Sequence, residues 1–221
     1  MCGRFIFIEP EDIYERFDIV ERPSLPLQPN YNVAPSQTFP VIVKENPPKI
    51  IFMKWGLIPH WSKDSADFKG LINARGETIL QKPSFKDSFR NRRCIIPTNG
   101  FYEWKKGEGK KTPYFIHLKG KKLFGFAGIY DRLQEKSGQI LNTFSIITTE
   151  PTELISSIHN RMPVILSPDD ESRWLDCTQT DTADLLSLLK PYKAEEMDFY
   201  QVSLMVNNPR YNSPDLIEKV V

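Results

Sequence analysis

Leu123-Phe124-Gly125-Phe126-Ala127-Gly128-Ile129-Tyr130 is a run of apolar, aromatic and β-branched residues, and it reads as a β-strand. Five further runs share that character: Val41 to Lys44, Ile50 to Trp55, Cys94 to Pro97, Tyr114 to Leu118 and Phe144 to Thr148. Helical patterning is confined to short stretches at Glu11 to Phe17, Pro83 to Phe89 and Pro151 to Ile158, with two more near the carboxyl end. Ser167-Pro168-Asp169-Asp170 has the form of an N-cap, a proline at the first helical position and an acid at the third, opening a helix through Trp174. Leu185, Leu186, Leu188 and Leu189 give the last helix an apolar face, and Pro191 ends it.

Eighteen prolines against eleven glycines break the chain into many short elements. Because strands and helices do not alternate regularly, the expected class is α+β: a curved mixed or antiparallel β-sheet, or a barrel-like core, with short peripheral helices. Its 221 residues, 40% hydrophobic, suffice for one substantial core, so residues 1–221 are expected to form a single domain. The segment Lys105-Lys106-Gly107-Glu108-Gly109-Lys110-Lys111 lies between two strand-like runs and reads as an exposed hairpin loop.

Composition excludes several classes of function. There is no run of about eighteen apolar residues and no basic segment leading into a hydrophobic stretch, so a soluble intracellular protein, cytoplasmic or at the nucleoid, is expected, with no membrane partner. The cysteines, Cys2, Cys94 and Cys177, are odd in number and far apart, which fits a reducing compartment. Neither CxxC nor HExxH occurs, so no metal site and no cofactor is expected. The formal net charge of +1 hides a separation of signs. Between Lys86 and Lys122 there are eleven Lys or Arg against three acids, and between Ser167 and Asp198 three against nine. One surface facing a polyanion, or two ordinary solvated surfaces, would each give that pattern.

The chain begins Met1-Cys2-Gly3-Arg4. Loss of one residue would leave a cysteine with a free α-amine and a thiol on adjacent carbons. The amine can condense with an aldehyde to an imine and the thiol can close onto the imine carbon, giving a five-membered thiazolidine. Ordinary values of about 7.7 to 8.0 for the amine and about 8.5 for the thiol leave both groups usable near neutrality.

Four other stretches carry chemically capable residues. In Leu71-Ile72-Asn73-Ala74-Arg75-Gly76-Glu77, an extended backbone would turn Asn73 and Arg75 to one face, although a buried asparagine tying a loop together would look the same. In Pro97-Thr98-Asn99-Gly100-Phe101-Tyr102-Glu103-Trp104, Glu103 sits among aromatics, where desolvation raises a carboxyl toward neutral pH; a salt bridge to Arg92 or Arg93 is the competing explanation. In Ile158-His159-Asn160-Arg161-Met162-Pro163, His159 could shuttle a proton or donate to a sugar oxygen and Arg161 would suit a phosphate, while His117 reads as packing. Trp61 and Pro35, from Trp55-Gly56-Leu57-Ile58-Pro59-His60-Trp61 and Asn32-Val33-Ala34-Pro35, offer flat surfaces to unstacked bases, and Trp55 reads as core.

Six motifs in order, Cys-Gly-Arg, Asn-Val-Ala-Pro, Trp-Gly-Leu-Ile-Pro-x-Trp, Asn-Ala-Arg-x-Glu, Arg-Cys-Ile-x-Pro-x-x-Gly-Phe-Tyr-Glu-Trp and His-x-Arg-Met-Pro, span positions 2 to about 209 and resemble the SOS response-associated peptidase (SRAP) family. The resemblance implies a sensor of abasic sites in single-stranded DNA, in which Cys2, exposed by loss of Met1, forms a thiazolidine with the ring-opened sugar. It implies that Asn73 positions the cysteine, Glu103 handles protons during ring opening and imine formation, and His159 assists at the deoxyribose oxygen. Arg4, Arg75 and Arg161 match positions that contact the DNA backbone or the lesion. Phosphate contacts without base reading suit a lesion that has no base, and binding should weaken as salt rises. An amino-terminal-nucleophile peptidase acting on the Met1-Cys2 bond and a non-covalent single-strand binder are the alternatives. The acting species is expected to be a monomer.

Overall fold

The computed structural model describes residues 2–45, 47–62, 70–107, 109–120 and 122–220. Met1, whose removal the thiazolidine chemistry requires, lies outside the described residues, as does Glu108 in the basic hairpin.

In chain order the elements are β1 (Phe5–Phe7), α1 (Asp12–Arg16), β2 (Asn30–Val33), β3 (Thr38–Val43), β4 (Lys49–Trp55), β5 (Asn73–Arg75), α2 (Pro83–Asn91), β6 (Arg93–Thr98), β7 (Gly100–Lys106), β8 (Lys111–Leu118), β9 (Phe124–Gln134), β10 (Ile140–Thr149), α3 (Glu153–Ser156), β11 (Met162–Pro163), β12 (Ile165–Leu166), α4 (Pro168–Leu175), α5 (Thr182–Ser187) and β13 (Met197–Gln201). Five strands close a mixed barrel. Antiparallel pairs β4–β3, β3–β6, β6–β9 and β9–β10 run round it, and β10 returns to β4 in parallel through Thr143↔Lys54 and Phe144↔Trp55. The fold is therefore α+β on a barrel, with β5, β11 and β12 as additions along β10 and β9.

An aromatic cluster ties the barrel to the start of the chain. Phe5 of β1 packs edge-on to Phe39 at 4.8 Å and lies 5.1 Å from Trp55, which stacks on Phe144 at 6.2 Å. All four are buried, each contributing roughly 2 to 3 kcal/mol through area removed from water. Trp55 is therefore core, as its sequence implied. At Gly128 a Cβ would meet Ile96 Cδ1 at 2.1 Å and Cys94 Sγ at 3.0 Å, so the glycine leaves room for the side chains of the neighbouring strand β6.

A second sheet, ordered β13-β8-β7-β1-β2, brings β1 antiparallel to β7 through Phe5↔Phe101 and Ile6↔Gly100. Its own apolar layer of Ile6, Tyr102, Phe115, Val202, Val206 and Leu216 packs beneath the carboxyl-terminal segment. The helices are short and peripheral. In α4 the Ser167 hydroxyl accepts from Asp170 N at 3.3 Å, and Trp174 donates from Nε1 to Cys94 O at 2.9 Å, fastening the helix to the barrel.

All six strand runs coincide with strands, apart from the end residues Lys44 and Leu123, and β9 and β10 extend beyond theirs into the charged and polar residues of a hairpin. The helix expected from Pro151 is shorter, Glu153–Ser156, because Thr152 caps it by accepting from Ile155 N. The loop after Glu103 is tighter than the sequence implied. Lys105, Lys106 and Lys111 belong to paired strands, and Gly107 N donates to Lys110 O at 3.0 Å just beyond them. No helix among the described residues is long and apolar enough to cross a membrane.

Candidate active site

Two registers bring the start of the chain to the site. Tyr102 N donates to Arg4 O at 2.9 Å, so Arg4 carries the β1–β7 pairing one residue further, next to Glu103. From the other side β5, held parallel to β10 by Ile146↔Asn73, delivers Asn73, whose Nδ2 donates to Cys2 O at 2.8 Å. The Cys2 side chain is fully buried, its Sγ 3.9 Å from Arg4 O. Burial first, and the Glu103 carboxylate second, push the thiol far above its usual range. In this environment the thiol is protonated.

Glu103 sits on β7 at 2% exposure, and burial raises its carboxyl to about 7. A carboxyl balanced there can both donate and accept a proton near neutral pH. The salt bridges proposed for it from sequence are absent. Arg93 is buried and donates to the carbonyls of Trp174, Phe89 and Arg90, and Arg92 pairs with Asp87 and Asp131.

His159, in the turn after α3, places Nδ1 4.0 Å from Glu103 Oε1. The same Nδ1 lies 3.1 Å from Arg161 N. It also lies 3.2 Å from Arg161 O, so Nδ1 accepts from that N–H when bare and donates to that carbonyl when protonated. Burial, foremost, lowers the imidazole below its ordinary value, and Lys106 and Lys111 act in the same direction.

A cleft of about 720 Å³ opens beside these groups, lined by Arg4, Ile72, Glu103, Trp104, His159 and Leu204 among others, with Lys106, Lys110 and Lys111 on its hairpin side. Arg4 lines it with a guanidinium that donates to Asn32 Oδ1 at 2.9 Å and Val206 O at 3.2 Å and sits 6.0 Å from the Trp104 ring. Arg75 is exposed at the end of β5. Arg161 is already committed: it grips Glu77 through both terminal nitrogens, at 2.6 and 2.9 Å, and donates to Thr148 O. A phosphate there would have to exchange with a carboxylate.

Trp61 is 55% exposed on the turn after β4, where an isolated bridge joins Leu57 to Leu71, and it does not line the cleft. Asp131 fixes that turn by accepting from His60 N at 2.9 Å and contacting His60 Nδ1 at 3.0 Å. Pro35 is half-buried in the turn after β2, beside Ser36 at φ 71°. His117 packs on Phe115 at 5.7 Å, as its strand position implied.

Sequence reasoning gave no role to several residues that shape the site. Asn32, 1% exposed, donates to Asn208 O and Tyr211 O while accepting from Arg4, so it pins the carboxyl-terminal segment against the cleft. Trp104 donates to Asn207 Oδ1 at 2.8 Å from the same side. Both lie within the quoted motifs, but only packing against residues some hundred or more positions away discloses what they do. No group of three or more His, Cys, Asp or Glu that could hold a metal occurs among the described residues.

A family model described as SOS response associated peptidase (SRAP) matches residues 1–209. The abasic site processing protein YoqW of Bacillus subtilis (strain 168) is 48% identical over 222 residues, covering 99% of each chain. The abasic site processing protein HMCES of Rattus norvegicus is 32% identical over 268 residues, covering 98% of this chain and 75% of its own. A crystal structure of a protein from Bacteroides thetaiotaomicron shares the fold at a TM-score of 0.88 and 30% identity, covering 100% of both chains.

Proposed function

The chain belongs to the SOS response associated peptidase family, and from its site we propose that it processes abasic sites in single-stranded DNA by capturing the sugar aldehyde covalently on Cys2. The observation that carries this reading is that Cys2, held by Asn73 and within the electrostatic reach of Glu103, lies beside a cleft lined by Glu103 and His159. The names of the relatives, abasic site processing proteins, support the substrate class.

On this reading hydrolysis of the Met1-Cys2 amide first frees the α-amine, by the chain itself or by an aminopeptidase. The cyclic abasic sugar opens when the proton of its anomeric hydroxyl leaves and its ring oxygen gains one, exposing the aldehyde; the His159 imidazole serves that oxygen. The amine adds to the carbonyl carbon, and Glu103 takes a proton from nitrogen and returns one to the departing hydroxyl, releasing water and leaving the imine. The Cys2 sulfur then bonds to the imine carbon while its proton passes to nitrogen, closing the thiazolidine. The amine acts first because burial and the Glu103 charge disfavour thiolate. Asn73 holds the Cys2 carbonyl so that amine and thiol meet the aldehyde from a fixed position.

Arg4 and Arg75 are assigned to the backbone on either side of the lesion, with Trp61 and Pro35 as apolar surfaces for flanking bases. The working unit on this reading is a monomer, one domain over residues 1–221, acting on the cell's DNA. The deciding experiment is a denaturing gel with single-stranded DNA carrying one abasic site. A heat-resistant band with the mature protein, lost in Cys2→Ala, is expected. Association that salt fully reverses, with no such band, would reduce the protein to a binding module.

A further inference from the structure

We propose that the β7–β8 hairpin is the phosphate-holding jaw of the cleft, with Lys106 and Lys111 taking the backbone of the single strand next to the lesion. This rests on the reading above and adds to it a surface that neither the relatives' names nor the motif residues assign.

Lys106, Lys110 and Lys111 line the same cleft as Glu103 and His159. Among the described residues nothing neutralises their charges. Arg161 is held by Glu77, Lys122 by Glu9 at 3.3 Å, and Lys119 donates to Glu195 O, whereas among the described residues Lys106, Lys110 and Lys111 make no ion pair. The register makes the excess costlier. Lys106 stands directly opposite Lys111 in the antiparallel ladder, and like charges in facing positions destabilise a hairpin. An anion bridging the two ammonium groups would turn that cost into a binding contribution.

The face on which this pair sits supports a strand of DNA as the occupant. Side chains alternate along β7, so Trp104 and Lys106 share one face. Trp104 is fixed by its bond to Asn207, and Leu204, 57% exposed, belongs to the adjoining carboxyl-terminal segment at the same cleft. An indole and a leucine followed by two cations match a base and its phosphate. The influence of Lys106 and Lys111 on the His159 imidazole indicates that hairpin and reacting groups share one electrostatic field.

The experiment measures Kd for an intact, undamaged single-stranded oligonucleotide across a series of NaCl concentrations, for the wild type and for Lys106→Gln/Lys111→Gln. Two lost phosphate contacts should make the slope of log K against log salt shallower by about 1.4, since each contributes roughly 0.7 on single strands. The Lys106→Arg/Lys111→Arg variant should keep the wild-type slope, and so should Lys119→Gln/Lys122→Gln, whose lysines contact protein groups. An unchanged slope in the correctly folded glutamine variant overturns the proposal. The outcome is separable from the covalent chemistry: a wild type that crosslinks abasic DNA while the slope stays fixed defeats the jaw alone, and a shallower slope without crosslinking defeats the chemistry alone.

Discussion

Asn73 donates from Nδ2 to the carbonyl oxygen of Cys2 at 2.8 Å, joining two residues 71 positions apart. Two independent strand registers meet in that bond: β5 along β10, and the start of the chain along β7. The Asn73 Oδ1 atom is buried without a hydrogen-bond partner among the described residues, so the amide has acceptor capacity left for a group that arrives with the substrate.

Asn73→Ala should therefore act on rate more than on affinity. With the Cys2 carbonyl released, the amine and thiol lose their fixed approach, and misplacement of about 1 Å can cost roughly a hundredfold. Single-turnover crosslinking at saturating abasic DNA should slow by about tenfold to a hundredfold, while Kd for undamaged single strands stays within about twofold. Equal losses in both measurements would make Asn73 a general structural residue.

Glu103→Gln should slow adduct formation by about a hundredfold or more, because shape is kept and proton transfer is lost. It should also change how stability depends on pH. The folded protein holds the Glu103 proton up to about 7, against an ordinary value of 4.5, so the folded state binds it more tightly than the unfolded chain. That contribution is complete below about pH 4.5 and is lost as pH rises through about 7, at roughly 1.4 kcal/mol per unit of difference. Urea melts at pH 5 and pH 8 should show wild type losing stability across the interval and Glu103→Gln losing less. Parallel curves would mean that Glu103 carries its charge throughout.

The His159 ring should respond to the hairpin. Lys106 and Lys111 both hold its value down, after burial, so Lys106→Gln/Lys111→Gln should raise it in the free protein. A titration followed by imidazole NMR shifts would show the midpoint moving to higher pH, and phosphate-bearing DNA should move it the same way in the wild type by screening the two cations. A midpoint indifferent to both would separate His159 from the hairpin. His159→Ala, in turn, should change the rate of adduct formation or reversal more than Kd.

The strands of the barrel were legible because each is a short run dominated by apolar, aromatic and β-branched residues, and a run of that kind survives any arrangement of its neighbours. The closing of β10 onto β4 was not, since parallel pairing at Phe144↔Trp55 depends on the whole path round the barrel. At the site, Cys2, Asn73, Glu103 and His159 stood out by residue type and motif. Charge and the family resemblance both point Arg161 at DNA, and its partner Glu77, 84 positions away, is visible only once β10 and the segment after β5 are side by side. Charge and glycine in residues 105–111 suggest a turn, yet the ladder continues through Lys106 and Lys111.

Gly100 offers a test of how tightly the reacting carboxyl depends on the strand that carries it. It opens β7 three residues before Glu103 and pairs with Ile6 of β1. A Cβ built there would lie 2.4 and 2.5 Å from atoms of the Phe115 ring and 2.8 Å from Ile116 O, and the backbone oxygen cannot swing aside as a side chain might. Gly100→Ala must therefore push β7 away from β8, at about 1 to 3 kcal/mol, the usual cost of overpacking. Because Tyr102 N also anchors Arg4 O, the same displacement moves Cys2 relative to Glu103. Gly120→Ala is the matched comparison: φ is +66° with open space around the added methyl, so it strains a surface turn and touches nothing at the site. Thermal melts should show both variants less stable than wild type, and single-turnover crosslinking well below each melting temperature should fall only for Gly100→Ala. Equal crosslinking rates would mean that the site tolerates the shift and that register along β7 does not set the chemistry.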